Sequence, residues 1–110
     1  MSKPTYPLTY KNQFGFSDHT LKTIHAALSS INGPNTLTEA KIFGSRAMGN
    51  YKSYSDVDIC LFGDISNTCA YTIKDDLEEK TVYDYDILVY GKINNENLKS
   101  HINNIGIKIF

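Results

Sequence analysis

The sequence predicts an α/β fold (α+β), in which helices flank a mixed β-sheet of about four strands. One segment, from Leu21 to Ile31, has apolar residues at helical spacing. Other short segments are apolar or alternate between apolar and polar residues, which is typical of strands. The two kinds of segment interleave in the order α-β-β-α-β-α-β, and no repeat or linker divides the 110 residues. A chain of this length is expected to bury one modest core.

Capping and turn residues define the first elements. Residues 1–13, rich in Tyr, Pro and Asn, are expected to form an irregular lead-in to a single domain over 14–110. Ser17 is suited to cap the first helix, because its hydroxyl can accept a hydrogen bond from a free N–H of the first turn. The run NGPN at 32–35 then ends that helix.

Strands and helices alternate through the rest of the chain. A strand over 41–43 runs into Gly44-Ser45, where a helical turn is expected to begin. The remaining expected elements are a strand over 56–62, a helix over 67–80, a strand over 83–90, a helix from Asn94 or Asn95 to Ile102, and a short strand over 107–110.

The composition argues against several classes of function. A formal net charge of −1 provides no basic surface, so neither direct nucleic-acid binding nor membrane binding is expected. No apolar run is long enough to span a bilayer, and the first residues lack the apolar core of a signal peptide. Cys60 and Cys69 lack the spacing of a zinc site or a disulfide framework. A cytoplasmic location is therefore expected.

Two aspartates, Asp56 and Asp58, stand in an otherwise apolar strand. Because side chains alternate along a strand, both carboxylates are expected on one face, about 7 Å apart. The residues expected on the opposite, core face are Val57, Ile59 and Leu61. Carboxylates this close repel each other, which favours protonation or a bound cation, and oxygen ligands suit Mg²⁺. An isolated Asp-x-Asp is more often just two solvated acids at a strand edge.

A Gly-Ser pair, Gly44 and Ser45, precedes these aspartates by ten residues. Glycine permits a tight turn that brings the backbone close to a phosphate. Ser45 is expected to cap the following helical turn, whose free N–H groups attract anions. A phosphate held there, opposite two metal-binding carboxylates, would fit a nucleoside triphosphate with its Mg²⁺. Taken alone, Gly-Ser is also an ordinary strand-to-helix turn.

The combination of Gly-Ser, ten residues and Asp-x-Asp resembles the signature of the nucleotidyltransferase superfamily typified by DNA polymerase β. The stretch FGSRAMGNYKSYSDVDICL is similar to the small stand-alone members called minimal nucleotidyltransferases, or MNT proteins. The segment GFSDHTLKTI is similar to the opening helix of that family, so the resemblance extends from Phe14 to the C-terminus. It implies the nucleotidyltransferase palm fold and the transfer of a nucleoside monophosphate, AMP from ATP in the first instance, to a hydroxyl acceptor.

The resemblance also implies a third carboxylate on a later strand. The stretch VYDYDILVY offers Asp84 and Asp86, and Asp86 fits the family pattern better because three apolar residues follow it. The expected catalytic and metal-binding triad is then Asp56, Asp58 and Asp86, holding two Mg²⁺ ions. Asp86 would also serve as the general base.

The same resemblance assigns nucleotide binding to Gly44, Ser45 and Arg46. Arg46 is compatible both with neutralising a phosphate and with a structural ion pair to an acidic neighbour. Two loop tyrosines, Tyr51 and Tyr54, can stack on a base or simply cover surface. The histidines at 19 and 101 are expected at the surface.

Minimal members of this family commonly act with a separate helical-bundle protein of the HEPN type. The resemblance therefore implies two partners, a nucleoside triphosphate and a HEPN-type protein, with the chain serving as antitoxin by transferring AMP to the HEPN protein. Two alternatives remain open. The chain can be a non-catalytic module that neutralises or scaffolds the helical partner. It can also be a nucleotidyltransferase for a small molecule such as an aminoglycoside.

Overall fold

The computed structural model describes residues 11–110, and most of the expected lead-in, 1–10, lies outside the described residues. The helices are α1 (Asp18–Ser29), α2 (Ser45–Met48), α3 (Asn67–Lys80) and α4 (Glu96–Ile105), with a 3₁₀ turn at Tyr90–Lys92. The strands are β1 (Thr36–Phe43), β2 (Val57–Asp64), β3 (Tyr85–Val89) and β4 (Ile107–Lys108). This is the predicted order of elements, and the α/β fold class is confirmed.

Side-chain caps fix the starts of the three longer helices. Ser17 accepts a hydrogen bond from the Thr20 N–H at 3.2 Å, as predicted for the start of α1. Ser66 Oγ and Asn95 Oδ1 cap α3 and α4 in the same way. Asn95, rather than Asn94, is therefore the cap of α4. Among the helices between residues 11 and 110, none has both the length and the apolar character needed to cross a lipid bilayer.

The strand boundaries differ from the prediction where pairing, rather than local sequence, decides them. The first strand begins at Thr36 instead of residue 41, because Thr36 pairs with Asp64 at the far end of β2. A register shift between Leu37 and Glu39 interrupts this pairing. The third strand is shorter than the predicted 83–90, and the last strand contains two residues instead of four.

The four strands form one mixed sheet, as predicted, and their order in the sheet is β3-β2-β1-β4. The pairs β1–β2 and β1–β4 are antiparallel, whereas β2–β3 is parallel. Asp58 pairs with Phe43 on β1 and with Asp86 on β3, so these three residues form one row across the sheet. Residues in register on neighbouring strands project from the same face, so both carboxylates lie on one side.

The sheet has a core on each face. The predicted core-facing residues Val57, Ile59 and Leu61 are fully buried, in the cluster that contains apolar residues of α1 and α3. The opposite face carries a smaller cluster beneath α4, in which Phe43 and Cys60 pack with Ile102. Because Asp58 and Cys60 are two residues apart on β2, Asp58 shares the α4 face of the sheet.

The outer edge of β3 is covered at its start by two side chains from α3. Glu78 Oε2 accepts a hydrogen bond from the Tyr85 N–H at 3.0 Å, and Lys74 Nζ donates to the Tyr85 carbonyl at 2.6 Å. Lys74 and Glu78 also form an ion pair with each other at 2.8 Å. These contacts satisfy backbone groups that an edge strand would leave open, and they fix the strand one residue before Asp86.

Candidate active site

The candidate site lies on the α4 face of the sheet, where β1 ends and where β2 and β3 begin. Asp58 is the second residue of β2 and Asp86 the second residue of β3, and the two are directly in register. Neighbouring strands lie about 4.8 Å apart, so the two carboxylates start from adjacent positions. The structure therefore brings Asp58 and Asp86 together, although 27 residues separate them in the sequence.

The other two aspartates of the region lie just outside the strands. Asp56 precedes β2 and is exposed, and its charge acts on Asp58. Asp84 precedes β3, is exposed, and accepts a hydrogen bond from the Val57 N–H through its carbonyl at 2.9 Å. The charges of Asp56 and Asp86 thus both act on Asp58, while a shared catalytic or metal-binding role for the three stays a prediction.

The carboxyl group of Asp58 has a strongly raised pKa. Its pKa is raised from an ordinary 3.8 to about 6, chiefly because burial removes it from water. The charges of Asp86 and then Asp56 raise the pKa further, and Arg46 partly offsets them. Perturbed carboxyl groups of this kind are frequent at functional sites, because the same crowding that disfavours the anion favours a bound cation.

The Gly44-Ser45 turn is in direct contact with this carboxylate. Gly44 has φ 70° and ψ −152°, a conformation that only glycine adopts readily. A Cβ at this position would overlap Asp58 Oδ2. Glycine is therefore favoured at position 44 for two reasons: the backbone angles, and the close approach of the backbone to Asp58.

Ser45 does not cap the short helix, which corrects the sequence expectation. Gly44 holds the N-cap position of α2, and Ser45 is the first helical residue. The N–H groups of Ala47 and Met48 both bond the Gly44 carbonyl. In contrast, the N–H groups of Ser45 and Arg46 find no acceptor within residues 11–110, so they remain available to an anion.

The Arg46 side chain lies beneath the site, where its guanidinium bonds backbone carbonyl groups, and the assignment of Arg46 to nucleotide binding stays a prediction. Its side chain is only 1% exposed. The guanidinium donates to the Ser55 carbonyl from Nε at 3.1 Å and from Nη2 at 2.8 Å, and to the Phe14 carbonyl at 3.0 Å. Among the described residues no carboxylate forms an ion pair with it. Arg46 therefore ties the loop before β2 to the segment before α1.

Three aromatic rings surround the Arg46 guanidinium. Its carbon lies 4.9 Å from the ring centre of Tyr83, 5.2 Å from that of Tyr51 and 5.9 Å from that of Phe16. Tyr51 is thus engaged in packing, where it also abuts Gly15. Of the two tyrosines expected to stack on a base or cover surface, only Tyr54 is free to reach a ligand, since 82% of it is exposed.

His101, expected at the surface, is instead part of the site. The Gly44 N–H donates a hydrogen bond to His101 Nε2 at 3.2 Å, and the imidazole meets the Phe43 ring edge-on at 6.2 Å. The contact joins residues 57 positions apart, which no local pattern predicts. One signal was present: His101 lies three residues after Leu98 and beside Ile102, on the apolar side of the helix.

The donor atoms at the site suit a hard divalent cation, but they are not arranged as a finished metal cage. Within residues 11–110, no group of three or more His, Cys, Asp or Glu side chains is positioned to hold a metal ion. The carboxylate oxygens of Asp58 and Asp86 are nevertheless the ligands that Mg²⁺ prefers, and their mutual repulsion would be relieved by a cation. The two-ion site remains a prediction.

Most of the sequence matches one known protein family. Residues 27–110 match the family described as "Polymerase beta, Nucleotidyltransferase". Because the match extends over well more than half of the sequence, the chain belongs to the polymerase beta nucleotidyltransferase family. Among curated proteins, none matches the sequence.

Several solved structures share the fold. A chain of a toxin–antitoxin complex with AMP-PNP is similar at a TM-score of 0.70 and 18% identity, covering 82% of this chain and 72% of that chain. A chain of the MntA–HepT toxin–antitoxin complex is similar at 0.66 and 16%, covering 86% and 72%. A chain of the Shewanella oneidensis complex of tri-AMPylated HEPN toxin with MNT antitoxin is similar at 0.64 and 18%, covering 84% and 71%. These similarities confirm the predicted nucleotidyltransferase fold.

Proposed function

We propose that this protein is a Mg²⁺-dependent nucleotidyltransferase that transfers AMP from ATP to a hydroxyl acceptor. The observation that carries the proposal is that Asp58 lies in register with Asp86 and in contact with the Gly44 turn. In a chain of the nucleotidyltransferase family, this places two acids beside a backbone segment with free N–H groups. Such a site has the parts needed to hold a triphosphate.

Each part of the site has a proposed task. The N–H groups of Ser45 and Arg46, with the Ser45 hydroxyl, hold the terminal phosphates of ATP. Asp56, Asp58 and Asp86 are the ligands for Mg²⁺. When bound, Mg²⁺ neutralises charge on the triphosphate and supports the attacking and leaving oxygens. Asp86, being exposed, accepts the proton of the acceptor hydroxyl.

The reaction is a displacement at the α-phosphorus of ATP. The acceptor oxygen bonds to the α-phosphorus, the bond from that phosphorus to the bridging oxygen breaks, and pyrophosphate leaves. Positioning and charge neutralisation supply most of the rate enhancement in transfers of this kind, so a small scaffold suffices. Arg46 contributes by holding the loop 49–56 that leads into Asp56 and Asp58.

We further propose that the acceptor is a HEPN-type helical protein and that the chain acts as its antitoxin. The support is that the similar solved structures are toxin–antitoxin complexes, one with AMP-PNP and one with a tri-AMPylated HEPN toxin. We place this activity in the cytoplasm, in keeping with the free state of both cysteines, Cys60 and Cys69.

Nucleotide binding provides the first test. Calorimetry should show ATP binding in the presence of Mg²⁺ and far weaker binding in EDTA. The double variant Asp56→Asn with Asp58→Asn should lose the Mg²⁺-dependent part and stay folded. The matched control is Asp64→Asn, an exposed aspartate at the other end of β2. Equal ATP affinity with and without Mg²⁺ would refute a metal-dependent site.

Transfer provides the second test. The chain, a HEPN-type protein from the same source, ATP and Mg²⁺ are incubated together and analysed by intact-mass spectrometry. One or more AMP units on the HEPN protein are expected. An unmodified HEPN protein in a stoichiometric complex would support the non-catalytic module instead. Neither modification nor a complex would leave a small-molecule acceptor as the remaining proposal.

A further inference from the structure

The helix α4 reaches the phosphate-binding turn through one side chain, His101. Its Nε2 accepts the Gly44 N–H at 3.2 Å, and its ring lies edge-on to Phe43, the residue before the turn. The next residue, Ile102, is fully buried and anchors the helix against the sheet. The imidazole is therefore held between a fixed helix and the end of β1.

The hydrogen bond specifies the protonation of the imidazole. An acceptor nitrogen carries no proton, so the neutral ring bonded to Gly44 has its proton on Nδ1. The bond also takes the first of three consecutive backbone donors, the N–H groups of Gly44, Ser45 and Arg46, out of reach of a ligand. Only the second and third donors remain open among the described residues.

We infer that His101 is a positioning residue of the nucleotide site, holding the Gly44 backbone so that the N–H groups of Ser45 and Arg46 face the phosphates. Gly44 benefits from such support because a glycine backbone has many accessible conformations, of which φ 70° and ψ −152° is only one. Without a partner for its N–H, the turn is free to rotate away from Asp58. This inference rests on the proposed nucleotide binding for its functional part, and on the hydrogen bond for its structural part.

The test uses the full chain and two substitutions that differ in one property. His101→Gln retains an acceptor oxygen at a similar reach, whereas His101→Leu retains bulk without an acceptor. Asn104→Leu, on the same helix but exposed, is the control for an added leucine. Two quantities are measured for each: hydrogen exchange of the Gly44 amide in the free protein, and the dissociation constant of Mg²⁺–AMP-PNP.

The wild-type chain and His101→Gln should show the same slow Gly44 exchange. His101→Leu should exchange about threefold to tenfold faster and bind Mg²⁺–AMP-PNP weaker by a similar factor, the effect of one hydrogen bond. Unchanged exchange and affinity in His101→Leu would overturn the inference, and so would equal losses in His101→Gln and His101→Leu.

A measurement on the wild-type protein tests the inference even if a variant fails to fold. Nitrogen-15 spectra should show the His101 proton on Nδ1, and a proton on Nε2 at neutral pH would overturn the inference. If wild-type protein binds no Mg²⁺–AMP-PNP, the proposed function fails, while Gly44 exchange and the imidazole spectrum still decide whether His101 holds the turn.

Discussion

Replacing Asp58 by asparagine should stabilise the ligand-free protein, because the folded state holds this carboxylate in an unfavourable place. The pKa of Asp58 is about 6 in the folded protein against an ordinary 3.8. This difference corresponds to about 3 kcal/mol of lost stability once the group is ionised in both states. Because Asp58 is partly open to solvent, screening reduces the expected gain from Asp58→Asn to about 1–2 kcal/mol at pH 7.5.

The pH dependence has a definite sign. Below pH 3.8 Asp58 is protonated in the folded and in the unfolded protein, so its charge does not affect the free energy of unfolding. Between 3.8 and about 6 the unfolded chain releases a proton that the folded chain retains, so stability falls as the pH rises. The gain in free energy of unfolding from Asp58→Asn should therefore be absent near pH 3.5, grow between pH 3.8 and about 6, and stay constant above pH 6.

Urea unfolding in EDTA, followed by far-ultraviolet circular dichroism at several pH values, measures this advantage directly. The control is Asp64→Asn, which removes an exposed aspartate from the same strand and should change the free energy of unfolding little. Added Mg²⁺ should stabilise the wild-type protein more than Asp58→Asn. The reasoning would be refuted if Asp58→Asn were less stable than wild type at pH 7.5. It would also be refuted if the two proteins differed in free energy of unfolding by the same amount at every pH.

Three further predictions concern the neighbours of Asp58. Asp86→Ala should reduce AMP transfer by more than about 100-fold in a mass-spectrometric assay, whereas Asp84→Ala should retain most of it; the reverse pattern would move the third carboxylate by two residues. Gly44→Ala should weaken Mg²⁺–ATP binding in calorimetry more than tenfold (on the order of 1.4 kcal/mol), because a Cβ would displace Asp58; unchanged affinity would contradict the close approach. Arg46→Lys should lower the free energy of unfolding in urea by about 2–4 kcal/mol, because the single ammonium nitrogen of lysine cannot replace guanidinium nitrogens that bond the Ser55 and Phe14 carbonyls separately. A loss of ATP affinity without a loss of stability would instead indicate a phosphate contact for Arg46.

Local chemistry allowed the sequence to predict much of this fold. The start of α1 at Ser17 and the limits of α3 follow from caps and helical spacing, which involve residues a few positions apart. The burial of Val57, Ile59 and Leu61 follows from the two-residue period of a strand. The Gly-Ser and Asp-x-Asp pattern was recognisable for the same reason, because its residues lie on one turn and one strand.

Pairing between distant strands decided what the sequence left open. The first half of β1, from Thr36, exists because the end of β2 supplies its hydrogen-bond partners. The position of Asp86 beside Asp58 depends on the register of two parallel strands, which is set by the packing of the whole sheet. The three apolar residues after Asp86 favoured it over Asp84, but no local property of the sequence fixes which residue of β2 it pairs with.

The surroundings of the Gly44-Ser45 turn were also decided by tertiary structure. His101 was expected at the surface and Arg46 at a phosphate or in an ion pair, yet each finds a backbone partner far along the chain. Arg46 is buried because carbonyl groups and aromatic rings from three segments enclose its guanidinium. His101 meets Gly44 only because α4 crosses the sheet face above Phe43. Sequence determined which residues form the turn and the acids, and tertiary contacts determined what holds them together, because hydrogen bonds between distant segments have no local signature.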